Sequence, residues 1–158
     1  MFETEHIKER MILVGVDTGS PEAAERSLDE LEDLAETAGA QTAGRLIQAR
    51  ESIHPATYIG KGKLEELKDL LWETEADGII CDDELTGSQI GNLEAELSCK
   101  VIDRTLLILD IFAAHAVSGE GKIQVELAQL KYRATRLTGL GRSLSRLGGG
   151  IGTRGPGE

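Results

Sequence analysis

The chain has 158 residues, of which 40% are hydrophobic and 3% aromatic; this allows one ordinary core with an appendage and is short for two independent domains. Its net charge of −11 is uneven, because residues 1–102 hold 9 Lys and Arg against 23 Asp and Glu, whereas residues 103–158 hold 8 against 5. No apolar run suits a signal peptide or a membrane span, and Cys81, Cys99 and the scattered histidines match no zinc or disulfide framework, so we expect a soluble, cytoplasmic protein with buried thiols and no metal.

The first half of the chain alternates between strand and helix patterns. The apolar run 11–16 predicts a strand, and Pro21 then opens a helix whose apolar residues recur every three or four positions until Gly39 ends it. Residues 44–49 predict a second strand, and His54 belongs to the loop that follows. This order is typical of parallel strands joined by crossover helices.

The next helix opens with a glycine-lysine turn and carries leucines on one face. One interpretation of the turn is a phosphate site at a helix N-terminus, which would make the chain a small nucleotide-binding protein that takes ATP. We favour a turn that only starts the helix, because it lacks the spacing and the Ser or Thr of the phosphate loop G-x-x-x-x-G-K-[ST]. That loop is absent from the sequence, so we expect no catalytic residues and no GTP hydrolysis by this chain alone. Trp72, on the same helix, is predicted to be a partly buried packing residue. The residues of the turn are Gly60, Lys61, Gly62 and Lys63.

Two more strands complete the predicted sheet. Residues 78–81 predict the third, and the acidic run 82–84 follows it, at the edge where α/β sheets place ligand sites. Metal binding or acid catalysis is one interpretation of the run; we favour turn and cap residues for the next helix, because no nucleophile or histidine accompanies them. Thr86 or Ser88 caps that helix, and residues 100–102 predict the fourth strand. We therefore expect an α/β fold: a small four-stranded parallel sheet flanked by helices.

From residue 103 onward the pattern is helical. Residues 105–116 are apolar nearly all round and predict a buried helix, and the glycine-containing residues 119–121 predict a break. We accordingly divide the chain into an α/β subdomain, 1–117, and a helical subdomain, 118–158. The helix after the break has one apolar stripe, which needs cover from the sheet domain, from a second copy of the chain or from another segment. The stripe consists of Ile123, Leu127, Leu130, Ala134 and Leu137.

The last segment is basic and rich in glycine. Residues 139–157 contain eight glycines, a density at which no further helix forms. Arginines that bind phosphate or stack on bases, hydroxyl donors and glycines that let the backbone approach closely are together typical of RNA contact. The alternative is a solvated basic linker. The candidate RNA-binding residues are Arg142, Ser143, Ser145, Arg146, Gly148, Gly149, Gly150, Thr153 and Arg154.

Long strings in the chain resemble the N-terminal region of HflX-type ribosome-associated GTPases. The resemblance runs in order over about residues 44–158, and the length of its last motif makes it highly specific. The strings are HPATYIGKGK (54–63), DDELTGSQ (82–89), NLE (92–94), KVIDRTLLILDIF (100–112), GKIQVELAQLKY (121–132) and LSRLGGGIGTRGPGE (144–158).

The resemblance implies a function for the basic segment. It would contact rRNA of the large ribosomal subunit, toward the peptidyl-transferase region, and help to split stalled or idle ribosomes in a stress response. It also implies that the helix with the apolar stripe is the first of an antiparallel hairpin cut off at Glu158. GTP and Mg²⁺ would bind in the parent's GTPase domain, which is absent from this chain. The expected partners are the large subunit, its rRNA and that GTPase domain, with homo-association through the stripe and ATP binding at the glycine-lysine turn as further alternatives.

Overall fold

The computed structural model describes residues 8–135, and these residues form the predicted parallel sheet with helices on both faces. All four strands are parallel, in the order β2-β1-β3-β4, so the α/β prediction is confirmed. The elements in chain order are β1 (Arg10–Asp17), α1 (Pro21–Thr37), β2 (Gln41–Ala49), α2 (Lys61–Thr74), β3 (Gly78–Cys81), α3 (Gly87–Leu97), β4 (Lys100–Asp103), α4 (Arg104–His115) and α5 (Gly119–Ala134).

Strand β1 supplies the centre of both hydrophobic cores. Met11 and Leu13 point to the face covered by α1 and α4, whereas Ile12 and Val14 point to the face covered by α2 and α3. All four side chains are fully buried. Each such burial stabilises the fold by about 1.5–3 kcal/mol, so this run is a principal source of stability in the sheet.

Polar caps fix where two of the crossover helices begin. The Ser20 hydroxyl accepts from a first-turn amide of α1, directly before Pro21. Of the two caps that the sequence offers for α3, the structure uses Thr86, whose hydroxyl accepts from the Gln89 amide while the Gln89 side chain accepts from the Thr86 amide. This reciprocal arrangement satisfies two amides that would otherwise lack partners at the helix start.

Two expectations for the first half of the sheet domain need correction. Strand β2 begins at Gln41 rather than at residue 44, and the added residues escaped the prediction because they carry no apolar run. Trp72 is 85% exposed, so the prediction of a packing residue is wrong. The side of α2 that faces the sheet carries Leu64, Leu67 and Leu71, and Trp72 lies off that side.

The C-terminal helices also differ from expectation. Only Leu106 and Leu107 of α4 are buried, and Phe112 is 57% exposed, so the prediction of a buried helix is wrong for most of α4. The predicted glycine break is wrong as well. Residues 119–121 form the first turn of α5, and the Ser118 hydroxyl accepts from the Gly121 amide at 2.9 Å. Because α5 starts directly after this cap, the glycines lie where a helix tolerates them best. The subdomain boundary after residue 117 stays a prediction.

Candidate functional site

Asp103 lies where β4 ends and is 1% exposed. Its Oδ1 accepts from the Leu106 amide at 3.0 Å and so caps α4. Its Oδ2 accepts from the Leu85 amide at 2.9 Å and from the Tyr132 hydroxyl of α5. One buried carboxylate therefore joins the sheet to the loop before α3 and to two helices. Hydrogen bonds to a charged acceptor are the stronger class, so we regard Asp103 as the anchor of α5.

The acidic run after β3 also connects elements. Asp82 Oδ1 lies 2.7 Å from Nη2 of Arg104, which also donates to a backbone carbonyl of α1. The Tyr58 hydroxyl donates to Asp83 Oδ2 at 2.6 Å, and Glu84 accepts from a threonine hydroxyl of α4. The predicted role as helix caps is wrong, because Thr86 caps α3. The carboxylates instead join the β3 end to a tyrosine in the loop before α2 and to α4.

Burial favours the neutral forms of Tyr58 and of both cysteines. Burial, followed by the nearby Cys81 and Asp83, raises the pKa of the Tyr58 hydroxyl well above its usual range. Burial, then the charge of Asp103, raises the pKa of the Cys81 thiol, and burial, then Glu94, raises that of Cys99 to about 12. Both thiols are free. Within residues 8–135, no three His, Cys, Asp or Glu side chains are grouped to hold a metal, and no helix is long and apolar enough to cross a bilayer.

Gly60, the first residue of the glycine-lysine turn, is the N-cap of α2 and is buried. Its amide donates to Gln48 Oε1 at 2.7 Å. A Cβ at this position would lie 2.8 Å from an Arg50 guanidinium nitrogen, so the glycine lets that cation sit against the helix start. A cation there is unfavourable to the helix dipole, and the Gly60 amide is already committed to a side chain rather than free for phosphate.

The other three residues of the turn form the first turn of α2. Lys61 is exposed, Gly62 faces open space, and no side chain caps the helix start. Lys63 Nζ lies 3.2 Å from Glu66, one turn further on. The structure therefore brings two lysines and uncapped amides together, but one lysine already has an ionic partner.

Helix α5 packs on α4 through polar contacts. Gln129 Nε2 donates to Asp110 Oδ1 at 2.9 Å, and an Arg133 guanidinium nitrogen lies 3.9 Å from the same oxygen. Tyr132 lies on this side as well and packs against the core beneath α1 and α4. The inner face of α5 is thus defined by residues that bind Asp110 and Asp103.

The predicted apolar stripe lies on the outer side of α5. Ile123 is 66% exposed, Leu127 49% and Leu130 63%. Ala134 is exposed too, and Leu137 lies outside the described residues. Of the three coverings considered, the sheet domain is therefore wrong for these residues. The choice between a second copy and another segment stays open.

The predicted RNA-binding residues all fall in 136–158, outside the part of the chain that the structure describes. The last described turns of α5 carry Lys131 and Arg133, so positive charge begins on the helix that leads into this segment.

The chain matches two known sequence families. Residues 25–113 match the family described as GTP-binding GTPase N-terminal, and residues 115–158 match the one described as GTP-binding GTPase Middle Region. A GTPase HflX from Lacrimispora saccharolytica is 64% identical over 158 residues, covering 100% of this chain and 37% of the relative. The chain belongs to the HflX family of GTPases. The HflX resemblance seen in the sequence is thereby confirmed.

A second HflX relative and a solved structure are also similar to this chain. GTPase HflX of Escherichia coli K12 is 42% identical over 158 residues, covering 100% of this chain and 37% of that protein. Among solved structures, a GTP-binding protein from the archaeon Sulfolobus solfataricus in complex with GDP has a TM-score of 0.59 and 30% identity, covering 84% of this chain and 39% of its own. This chain spans well under half the length of the HflX proteins that it matches.

Sequence reasoning missed the anchor at Asp103. Its position was a usable signal, because an aspartate between a strand and an apolar helix is a good N-cap. Tyr132 gave no local signal. Its partner lies 29 residues away, and only the packing of α5 on α4 brings the two together.

Proposed function

We propose that this chain is the ribosome-binding N-terminal region of an HflX-type GTPase and that it contacts large-subunit rRNA through its basic segment. Membership of the HflX family supports the GTPase context. The observation that carries the RNA contact is the separation of charge between the α/β body and the end of α5.

The body of the molecule is unsuited to RNA. Helix α1 alone holds seven carboxylates and one arginine, mostly exposed. The sequence from Lys131 to residue 157, in contrast, contains no acid. Because phosphate is repelled by the body and attracted by the segment, the segment would bind with the body turned away.

The anchored helix α5 gives this arrangement a mechanical basis. The Tyr132 bond to Asp103 lies in the last turn of α5, directly before the basic segment. The helix end is therefore held to the sheet at the point where the chain leaves it. We infer that α5 projects the segment from a fixed position, which lowers the entropy lost on binding.

The chemistry of the segment fits rRNA. Arginine side chains bind phosphate bidentately or stack on bases, hydroxyls add donors, and glycines let the backbone approach the RNA closely. We assign the phosphate contacts to Arg142, Arg146 and Arg154, the donors to Ser143, Ser145 and Thr153, and the close approach to Gly148, Gly149 and Gly150.

In the longer parent protein, we propose, GTP and Mg²⁺ bind in the GTPase domain, and the ribosome-bound N-terminal region helps to split stalled or idle ribosomes during stress. The protein would work in the cytoplasm, where ribosomes are. The outer stripe of α5 would pack on the second helix of the parent's hairpin. In the present chain, we expect the same stripe to drive homo-association.

Cosedimentation with purified large subunits at several salt concentrations tests the rRNA contact. Replacing Arg142, Arg146 and Arg154 by Ala should weaken binding and reduce the slope of log affinity against log salt by about two to three. Unchanged affinity and slope would reduce the segment to a linker.

A matched control removes three cations from the body instead. Replacing Lys8, Arg26 and Lys68 by Ala should leave the salt slope of the unsubstituted chain unchanged, because we place these side chains away from the RNA. Gly149→Val should weaken binding without changing the slope, since it alters backbone freedom and leaves the charge untouched. If the body control lost as much slope as the triple arginine variant, the RNA would contact the acidic body.

The alternative function is a small ATP-binding protein. The observation in its favour is the uncapped start of α2 with Lys61 and the Arg50 guanidinium beside it. Against it stand the Gly60 amide, which is bonded to Gln48, and the pairing of Lys63 with Glu66. An ATP-dependent thermal shift without large-subunit pelleting would favour this alternative.

A further inference from the structure

Strand β2 forms one edge of the sheet. It has nine residues, and no strand described in residues 8–135 lies beyond it. The Arg50 amide, just past its end, donates to the Asp17 carbonyl of β1. Because backbone groups alternate sides along a strand, those of Arg45, Ile47 and Ala49 point outward. Long open edges of this kind are normally blunted or used for binding.

The devices that usually blunt an edge do not block this part of β2. The bulge between β1 and β2 lies near residue 43, before the regular run 45–49. The only charged side chain on the strand is Arg45, which is turned aside onto α1, where its nitrogens lie 2.7 Å from Asp29 and 2.8 Å from Glu32. Among the described residues, neither a bulge, a charged side chain nor a further strand therefore blocks the outward backbone of residues 45–49.

Acidic grooves flank this edge on both faces of the sheet. The groove toward α2 has a volume of about 370 Å³, and its charged lining consists of Glu66, Asp69 and Glu73 with the cations Arg45 and Lys63. The groove toward α1, beside the start of β2, has about 580 Å³ and is lined by Glu32 and Glu36 with Lys8. Carboxylates outnumber cations by one in each groove lining and also predominate in α1 and α2, so the net charge beside the edge is negative.

We propose that the β2 edge binds an extended, lysine- or arginine-rich segment of a partner protein by strand addition. Main-chain hydrogen bonds to Arg45, Ile47 and Ala49 supply the pairing, and the flanking carboxylates select for basic side chains. A second copy of this chain fits the edge poorly, because pairing two β2 strands would bring the acidic helices of both copies together. The β2 edge consists of other residues than the basic segment, and the proposal does not depend on that segment binding RNA.

Amide exchange followed by NMR tests the proposal, with a nine-residue peptide of alternating Lys and Val as the probe. At saturation we expect slower exchange at the outward amides of Arg45, Ile47 and Ala49 and little change at Leu46 and Gln48, which already face β1. The same peptide with Glu in place of Lys should not bind. Unprotected outward amides, or equal binding of the Glu peptide, would overturn the proposal.

Two pairs of substitutions separate the local charge from the overall charge. Asp69→Asn with Glu73→Gln should weaken the Lys peptide about fivefold at low salt, since each exposed ion pair contributes modestly. Glu120→Gln with Glu126→Gln, on α5, makes the same change in net charge and should leave the affinity unchanged. An equal loss in both would leave only nonspecific attraction and reject the site.

The free protein supplies the last control. If the outward amides were protected from exchange without peptide, the proposal would be contradicted. Protection that grows with protein concentration would assign the edge to a second copy. Protection that does not depend on concentration would assign it to another segment of this chain. Ala49→Pro removes one outward N–H without removing a bond to β1, so it should weaken peptide binding in protein whose thermal midpoint is unchanged. If Ala49→Pro lowers that midpoint, the proposal is judged by the amide exchange of the unsubstituted chain with and without the peptide.

Discussion

Tyr132→Phe should detach α5 from the sheet domain while leaving the sheet intact. The hydroxyl donates to the buried Asp103 carboxylate, and a hydrogen bond to a charged group typically contributes about 1.5–3 kcal/mol. The phenyl ring keeps the packing of Tyr132 against the core beneath α1 and α4. The Leu85 and Leu106 amides still donate to Asp103, so the carboxylate keeps two of its hydrogen bonds. We therefore expect the substitution to destabilise the attachment of α5 by about 2 kcal/mol.

That energy is large relative to what holds α5. A helix of 16 residues is marginal by itself, and α5 has no fully buried residue. Lowering the free energy of local opening of α5 by about 2 kcal/mol should speed its amide exchange about 30-fold. Amide exchange in β1 should change little, because the lost hydrogen bond joins Tyr132 to Asp103 and involves no residue of β1.

Tyr58→Phe is the matched control, since Tyr58 makes the same kind of bond to Asp83 on the other side of the sheet. It should destabilise the loop before α2 and leave α5 exchange unchanged. The measurement is hydrogen exchange of both variants under native conditions. If Tyr132→Phe left α5 exchange unchanged, or if Tyr58→Phe accelerated it equally, Asp103 would not be the anchor of α5.

Three further predictions concern assembly, nucleotide and pH. The exposed stripe should give dimers or larger species in light scattering, and Leu127→Glu with Leu130→Glu should return a monomer. An unsubstituted chain that is already monomeric would contradict this prediction. The chain should not hydrolyse GTP above background, and any ATP-dependent thermal shift should vanish in Lys61→Ala with Lys63→Ala; a shift that persists would return the turn to a structural role. Because burial raises the pKa of Cys99 from 9.0 to about 12, its contribution to stability is complete below pH 9 and is lost as pH rises toward 12. Cys99→Ala should therefore flatten the alkaline fall in unfolding free energy, and an identical fall in both proteins would refute the assigned cause.

Much of the sheet domain could be predicted because its buried segments are continuous. The apolar run in β1 and the leucine spacing in α1 and α2 are direct consequences of burial on both faces of a parallel sheet. The start of β2 could not be predicted, since an edge strand is only partly buried and its first residues are polar or small. The prediction for Trp72 was wrong for a related reason, because size and hydrophobicity do not reveal on which side of a helix a residue lies.

The candidate site was predicted unevenly. The basic segment stands out through composition, and its contacts stay a prediction because it lies outside the described residues. The packing of α5 was misjudged because Ile123, Leu127 and Leu130 form the more regular apolar stripe, whereas the actual inner face depends on Tyr132 and on polar contacts. Hydrophobic periodicity identifies the most apolar side of a helix, whereas in α5 the contacts with Asp103 and Asp110 determine which side packs.

The strand order has a consequence for synthesis of the chain. β1 is made first, but its second neighbour, β3, follows only after β2 and α2, and the Arg10 amide bonds to Asp77, 67 residues later. The ion pair between Glu9 and Lys100 closes a loop of 91 residues. A growing chain therefore holds one side of β1 unpaired until β3, which begins at Gly78, has been translated. During that interval the open side of β1 is the place where contact with other nascent chains would be most damaging.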